Sequence, residues 1–596
     1  MAPTVADRIV ARLKDWDVTR IYGYPGDGIN GILAALSRTG NDPPFVQARH
    51  EEMAAFMATA HAKWTGDVGV CMATSGPGAI HLLNGLYDAK LDHQPVVAVV
   101  GQQARTALGG AYQQEVDLVS LFKDVASDYI TMVTVAEQIP AVLDRAFRAA
   151  KTARSVACVI VPADLQEEPY EPPEHAFKMV PGSLGYVAPE IVPPPAEVER
   201  AAEVLNAGQR VAILVGQGAR AAAGEVLEAA DLLGAGVAKA LLGKDVVADD
   251  LPNVTGAIGL LGTRPSYELM MGCDTLLMVG SSLPYSQFLP EYGQARGVQI
   301  DIDGRLIGLR YPMEVNLVGD SRATLRALLP KLRRKADRAW RDKVEADVRE
   351  WWQVVQARAM SDADPVNPQR VFWELSPRLP DGCIVTSDSG TAANWYARDL
   401  KLRRGMRASL SGTLATMGSG VPYAIAAKFT HPDRVAIALV GDGAMQMNGN
   451  GELITIARYW QQWDDPRLIV LVLHNNDLNQ VTWEMRAMAD IPKFAPTQDL
   501  PDFPYARYAE LLGLRGILVD KPQQIAPAWD QALAADRPVV IDAVTDPSVP
   551  PLPPHVEFDQ AMSLMKALLK GDPNAKQVVK HGFRGKVEEL LPHRGR

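Results

Sequence analysis

Gly441-Asp442-Gly443 stands directly after the apolar run RVAIALVG and before a helical pattern around Glu452 to Trp460. Glycines in such a turn let backbone amides approach a phosphate, and the start of the following helix favours negative charge. A carboxylate there cannot pair with phosphate, but it can hold a Mg²⁺ that bridges the two. After the next apolar run comes His474-Asn475-Asn476-Asp477, which offers an amide oxygen and a backbone carbonyl. Carboxylate, amide, carbonyl, water and phosphate oxygens together complete the octahedron that Mg²⁺ requires. Gly-Asp-Gly alone is more often a plain strand–turn–helix corner; the second segment in the right place favours the metal. Another candidate is Arg49-His50-Glu51-Glu52, ahead of AAFMATAHAKWTG. In isolation it reads as a solvated helix start, whereas a carboxyl in an apolar site would be suited to sharing a proton.

These segments need a framework. A chain of 596 residues is too long for one core. With 47% hydrophobic and 22% charged residues it has the composition of a folded, soluble protein. The net charge of -10 argues against nucleic acid as a partner. Cys71, Cys158, Cys273 and Cys383 lie far apart, which predicts reduced, buried thiols in a cytoplasmic protein. The N-terminus lacks the apolar stretch of a signal peptide, and no apolar run approaches the roughly 18 residues of a membrane span. Proline-rich or charged stretches at 169–195, 333–368 and 547–554 predict domains over 1–180, 190–335 and 360–548, with a tail over 549–596. Each large segment carries Val- and Ile-rich runs bounded by glycine, such as PVVAVVG, RVAILVG and RLIVLVLHN. Continuous apolar strands of this kind indicate parallel sheets covered by helices on both faces. The expected fold is therefore three consecutive doubly wound α/β domains and a helical tail, with ligands beyond the carboxyl ends of the strands.

Gly-Asp-Gly followed by Asn475-Asn476 resembles the signature of the thiamine-diphosphate-dependent enzymes. His474 replaces the first Asn of that pattern, and YWQQWDDPR looks like a loop extension lengthening the interval. The resemblance implies Mg²⁺ ligation by the side chains of Asp442 and Asn475 and by the carbonyl of Asp477. Gly441, Gly443, Ala444 and Thr391 would belong to the cofactor site of the third domain. Glu51 would reach the aminopyrimidine N1′ across a subunit interface and favour the imino tautomer that takes the C2 proton. Tyr24-Pro25-Gly26-Asp27-Gly28 and Thr74-Ser75-Gly76-Pro77-Gly78 resemble the loops around the pyrimidine. Thr416 and Met417 fall in the segment whose large apolar residue wedges between the rings; without that context Met417 reads as an ordinary core methionine.

Within the family the resemblance is closest to pyruvate oxidases, then to acetolactate synthases. Gly259-Leu260, Ser281, Tyr285, Asp301 and Asp320 look like the FAD contacts of those enzymes. Gly216-Gln217-Gly218-Ala219-Arg220-Ala221 is formally a dinucleotide fingerprint, but its first downstream acid, Asp245, lies well past the second strand. FAD is preferred there, with Gly216 and Gly218 as contacts. Gln114 falls on the family's active-site glutamine, while Gln113 replaces the usual aromatic, leaving the identity of the keto acid open. The implied function is oxidative decarboxylation of a 2-keto acid, first of all pyruvate, to acetate or acetyl phosphate with O₂ or a quinone as acceptor. The alternative is an acetolactate-synthase-like carboligase with non-redox FAD. A homo-oligomer, dimer or tetramer, with sites at subunit interfaces is implied. In the tail, Phe558, Met562, Met565 and Leu569 share one helical face, expected to pack on the protein itself in preference to a membrane surface.

Overall fold

The computed structural model describes residues 3–173, 175, 182–551 and 558–584. Uninterrupted apolar runs become strands buried along their length, as in Val96–Gln102, Val156–Pro162 and Leu468–His474. The strands form three six-stranded sheets, parallel wherever two strands pair. Counting along the chain, the first sheet (Ile21 to Pro162) and the third (Ile384 to Val544) share the order 2-1-3-4-6-5. The middle sheet (Val211 to Val318) has the order 6-5-4-1-2-3.

In open parallel sheets a crevice forms where the strand order reverses. In the first sheet that point lies between Ile21–Gly23 and Gly69–Ala73, whose ends lead into Gly26 and Thr74. In the third it lies between Ile384–Ser387 and Ala436–Gly441, leading into Asp388 and Asp442. In the middle sheet it lies between Val211–Val215 and Thr275–Val279, leading into Gly216 and Gly280.

The first and third sheets are joined by two helices, Glu51–Thr65 and Gly420–Thr430, that are buried almost all round. Alanines on both let the backbones approach, and one continuous core runs from Phe56, Ala98 and Val100 to Tyr423 and Val440. Trp64 Nε1 donates to the Tyr423 carbonyl at 3.1 Å, and Lys63 pairs with Asp92 at 2.6 Å. Glu452, fully buried, accepts the Arg49 N–H at 2.8 Å and so ties the third domain to the start of the Glu51 helix.

The charged stretch after Arg333 contains the helix Ala339–Ala359, with Trp351 buried. In the tail, helices Phe558–Leu569 and Ala575–Arg584 follow, the first against Asn479–Met488. Buried Arg486 holds Asp572 through two bonds of 2.8 and 2.9 Å. The expected inward stripe is corrected here: Met562, Met565 and Leu569 are exposed, and Ala567 is buried instead. A small side chain permits close helix contact, and the ion pair anchors the chain just beyond the helix end. The side chain of Phe558 lies outside the described residues. All four cysteines are buried free thiols. Among the described residues no helix is long and apolar enough to cross a membrane.

Burial pushes the Glu452 carboxyl up to about 7, against the lowering effect of the Arg49 N–H. A folded value above the unfolded one means that this group favours the native state most at low pH and progressively less as pH rises through about 7. Glu452→Gln keeps an acceptor for Arg49 and removes the charge. Its Tm should match the parent near pH 5 and exceed it by a few degrees near about pH 8.5, read by calorimetry.

Candidate active site

Asp442 is 2% exposed and draws two distant segments together. Its Oδ2 accepts the N–H groups of Asn475 and Asn476 at 2.8 and 2.6 Å, and Oδ1 accepts that of Gly443 at 2.9 Å. Burial raises its pKa to about 6, with these donors and His474 opposing. Asn475 Oδ1 accepts the Asp477 N–H at 3.0 Å, and Asn476 is left-handed at φ 55°, a conformation Asn tolerates. The Asp477 carbonyl accepts the Asn479 N–H at 2.7 Å, leaving it a second lone pair. Its carboxylate is taken up by Thr482, Asn479 and Lys493. A Cβ on Gly441 would meet nothing within 4 Å, so the backbone of the turn faces open space. Ala444 is buried, and a widened π-helical turn, Met445–Gly449, precedes the helix Asn450–Tyr459. Met417 leans on the same turn, its Cε 3.3 Å from the point where a Gly443 side chain would begin.

His474 anchors this cradle. Nδ1 lies 2.8 Å from Asp542, and Nε2 lies 2.9 Å from the Asn476 side-chain oxygen and 3.0 Å from Asp502. Both ring nitrogens face oxygens, an arrangement that favours the doubly protonated ring. Burial opposes that charge, but Asp542 and Asp442 outweigh it and the pKa is raised.

A second cluster forms at the first sheet. Gly28 N–H donates to Thr74 Oγ1 at 2.9 Å. A Cβ on Gly26 would fall 2.5 Å from that of Thr74, and one on Gly78 would fall 3.1 Å from Glu51 Oε1. A side chain at Gly26 would therefore clash with Thr74, and Pro25 precedes Gly26 in the same loop. Glu51 is 8% exposed, and its Oε2 lies 2.9 Å from His81 Nδ1. The His81 ring lies 4.3 Å from that of His50. Glu52 turns the other way, toward Asn84 and Asn448. Gln114, left-handed at φ 61°, sits against Gly76, with Ser75 Oγ 3.4 Å from its Oε1. Gln113 is exposed.

A cavity of about 620 Å³ opens at the switch point of the middle sheet. Gly216, Gly218, Leu260, Ser281, Tyr285, Asp301 and Asp320 all line it. Gly259 stands behind, where a Cβ would meet Tyr285 at 3.5 Å. Gly216 and Gly218 lie flush on Gly280, and a side chain at Gly216 would begin 2.2 Å from the Gly280 carbonyl. Ser281 Oγ is buried without a hydrogen-bond partner. Burial raises the Asp301 carboxyl. Asp320 Oδ1 also caps the helix Ser321–Leu328 through the Ala323 N–H at 3.0 Å. The opposite wall comes from the third domain: Leu410 to Thr413, Ala415, Gln480 and Glu484.

Among the described residues no hydrogen bond joins the Glu51–Thr74 cluster to the Asp442–Asn475 turn directly. They connect through Asn84, which donates to Thr416 Oγ1 at 2.9 Å, and through Met417 beyond it. Thr391 begins the helix Thr391–Arg398, close to Asp388 in sequence. Asp388, His81, Asn84, Gln480 and Glu484 escaped the sequence reading. A signal existed for two cases: Asp388 ends a strand as Asp442 follows one, and Gln480 and Glu484 are spaced to share a helix face.

Three sequence signatures of thiamine pyrophosphate enzymes match in order: the N-terminal TPP binding domain over residues 3–121, the central domain over 198–328 and the C-terminal TPP binding domain over 388–543. YdaP of Bacillus subtilis, whose name describes a thiamine pyrophosphate-containing protein, is 37% identical over 95% of this chain and 96% of its own. The pyruvate oxidase of Lactiplantibacillus plantarum is 30% identical over 93% and 90% of the two chains. The large subunit of acetolactate synthase isozyme 3 of Escherichia coli is 30% identical over 91% and 95%.

The His474 arrangement has a pH signature. Its folded pKa lies above the ordinary value, so its stabilisation is complete below the unfolded value and lost as pH rises through the folded one. His474→Asn should therefore lower Tm at acidic to neutral pH, and the difference should shrink toward alkaline pH. A Tm difference independent of pH would show a neutral ring.

Proposed function

The chain belongs to the thiamine pyrophosphate enzymes, and on that premise we propose that it oxidatively decarboxylates a 2-keto acid, first of all pyruvate, using thiamine diphosphate, Mg²⁺ and FAD. The observation that carries the redox part is the cavity: it runs from the glycine turns of the middle sheet to Gln480 and Glu484, on the helix that follows the Asp442–Asn475 cradle. An apolar-walled cleft of this size with a few convergent polar groups suits a cofactor.

The residues present fit each group. The all-oxygen donor set of Asp442, Asn475 and the Asp477 carbonyl suits Mg²⁺, and the open backbone of Gly441 leaves room for a diphosphate. Gly26 and Gly78 pack closely on Thr74 beside Glu51, with no side chain of their own between. Ser281 Oγ, buried and unpartnered, supplies a polar contact in the flavin cavity, with Asp301 beside a strand end for a ribose hydroxyl. When bound, thiamine diphosphate supplies a carbon nucleophile for the keto carbonyl and an electron sink on loss of CO₂, and FAD supplies a two-electron acceptor.

The chain's own residues have these roles. Asp442 and Asn475 would hold the metal, and Glu51 would hold a proton at the pyrimidine N1′. Met417 would pack against the bound cofactor from its seat on Gly443, and Gln114 would hydrogen-bond the keto acid. Glu51 and Asp442 act from different subunits of a homo-oligomer. The product is acetate or acetyl phosphate, with O₂ or a quinone as final acceptor.

Asp442→Asn preserves shape and removes charge. Calorimetry of the stripped protein should show Mg²⁺-dependent thiamine diphosphate binding weakened about 100-fold or more. Glu51→Gln should retain that affinity but slow hydrogen exchange at the cofactor C2 by orders of magnitude; unchanged exchange would remove Glu51 from the mechanism. Mixing these two inactive variants should restore part of the activity if they serve one interface site.

The flavin test separates the oxidase from an acetolactate-forming carboligase, the activity in the names of several relatives. Pyruvate added without oxygen should bleach the flavin at the turnover rate and yield acetate or acetyl phosphate once an acceptor is supplied. A flavin that stays oxidised while acetolactate accumulates would reverse the assignment.

A further inference from the structure

Residues 410–420 form one continuous wall between the middle-sheet cavity and the metal cradle. Leu410, Ser411, Gly412, Thr413 and Ala415 face the cavity. Met417, a few residues on, leans on Gly443 of the cradle. Left to itself this stretch would not hold its shape. Ala415 is left-handed at φ 54°, unfavourable for a residue with a Cβ, and no regular secondary structure spans 410–419.

Two buried carboxylates grip it at its two ends. Asp92, fully buried, accepts the Gly412 N–H on Oδ2 at 2.9 Å and the Thr413 N–H on Oδ1 at 2.8 Å. Lys63 balances that charge at 2.6 Å and also donates to the Leu410 carbonyl at 2.6 Å. The Asp92 carbonyl in turn accepts from Gln217 of the middle domain at 2.9 Å, so one residue touches all three domains. At the other end Asp388, 1% exposed, accepts the Gly418 N–H on Oδ1 at 2.9 Å and the Gly420 N–H on Oδ2 at 2.8 Å. Each carboxylate thus fixes two peptide planes, and a buried N–H left without an acceptor costs about 1–3 kcal/mol.

We propose that Asp92 and Asp388 are positioning residues that hold the 410–420 segment as a rigid partition, Asp92 setting its cavity face and Asp388 setting the Met417 face. This rests on the cofactor assignment above, but its first test does not. Hydrogen exchange of the cofactor-free wild type, resolved to single amides, should protect Gly412, Thr413, Gly418 and Gly420 as strongly as the central strands. Exchange there about a thousandfold faster than in the strands would overturn the partition, whatever the protein binds.

The second test uses Asp92→Asn and Asp388→Asn in the full chain, because an amide nitrogen cannot accept from the N–H it would face. Asp388→Asn should slow exchange at the thiamine C2 at least about tenfold under saturating cofactor and leave FAD affinity within about twofold. Asp92→Asn should do the reverse: it should weaken FAD binding at least about tenfold and spare C2 exchange. Both effects falling together in each variant with a lowered Tm would mark the carboxylates as merely structural and sink the proposal. Folded variants with neither readout moved would do the same. A wild type that binds neither cofactor would overturn the proposed function, while the amide measurement would still decide the partition.

Discussion

The close packing of Glu51–Thr65 on Gly420–Thr430 is the constraint on which the functional geometry rests. Both helices are buried nearly all round, which requires cover on every side. Covering them requires the first and third sheets to dock as one body with a shared core. Docking in turn fixes how the first sheet stands against the third within one chain, with Asn84 bonded to Thr416 across the join. An acidic residue at the front of one helix and a glycine-rich wall ahead of the other then follow from where those helices begin.

A fold built of parallel sheets concentrates its unmet backbone donors at the strand ends, and here buried acids answer them. Asp442 satisfies three N–H groups, Asp388 three and Asp92 two. Burial alone would make such carboxylates costly. Several donors per carboxylate, or a lysine in the case of Asp92, offset that penalty. Burial still raises both Asp442 and Asp388 to about 6 against their backbone donors.

The relatives carry names of two reactions, pyruvate oxidase and acetolactate synthase, at equal identity to this chain. Under the proposed function, the Asp442 turn and the Glu51 cluster would serve either reaction. What would separate the outcomes is how the cavity of the middle sheet communicates with the cradle. Between the two lie the 410–420 segment, which carries Met417, and the helix Asn479–Met488.

The three-sheet architecture was legible because apolar runs bounded by glycine are buried on both faces only in covered parallel sheets at this length. The pairing of the Asp442 and Asn475 segments was legible for a related reason: each follows a strand, and the two strands are neighbours in the third sheet. The middle-domain glycines and acids fell into one cavity as their places after strands suggested, although Asp320 also serves as a helix cap. Asn84 and Asp92 were not legible, because their partners are far away in the chain. Asn84 meets Thr416 across 332 residues and Asp92 meets Gly412 across 320. The tail shows the same limit: periodicity defined an apolar face, but Ala567 is the buried residue against Asn479–Met488, and Arg486 holds Asp572 beyond the helix. Local sequence determined which groups could do chemistry, since strand ends and turns are set by neighbours. Only the tertiary structure decided which groups meet, since a buried charge takes its partner from whatever the packing of the sheets brings alongside.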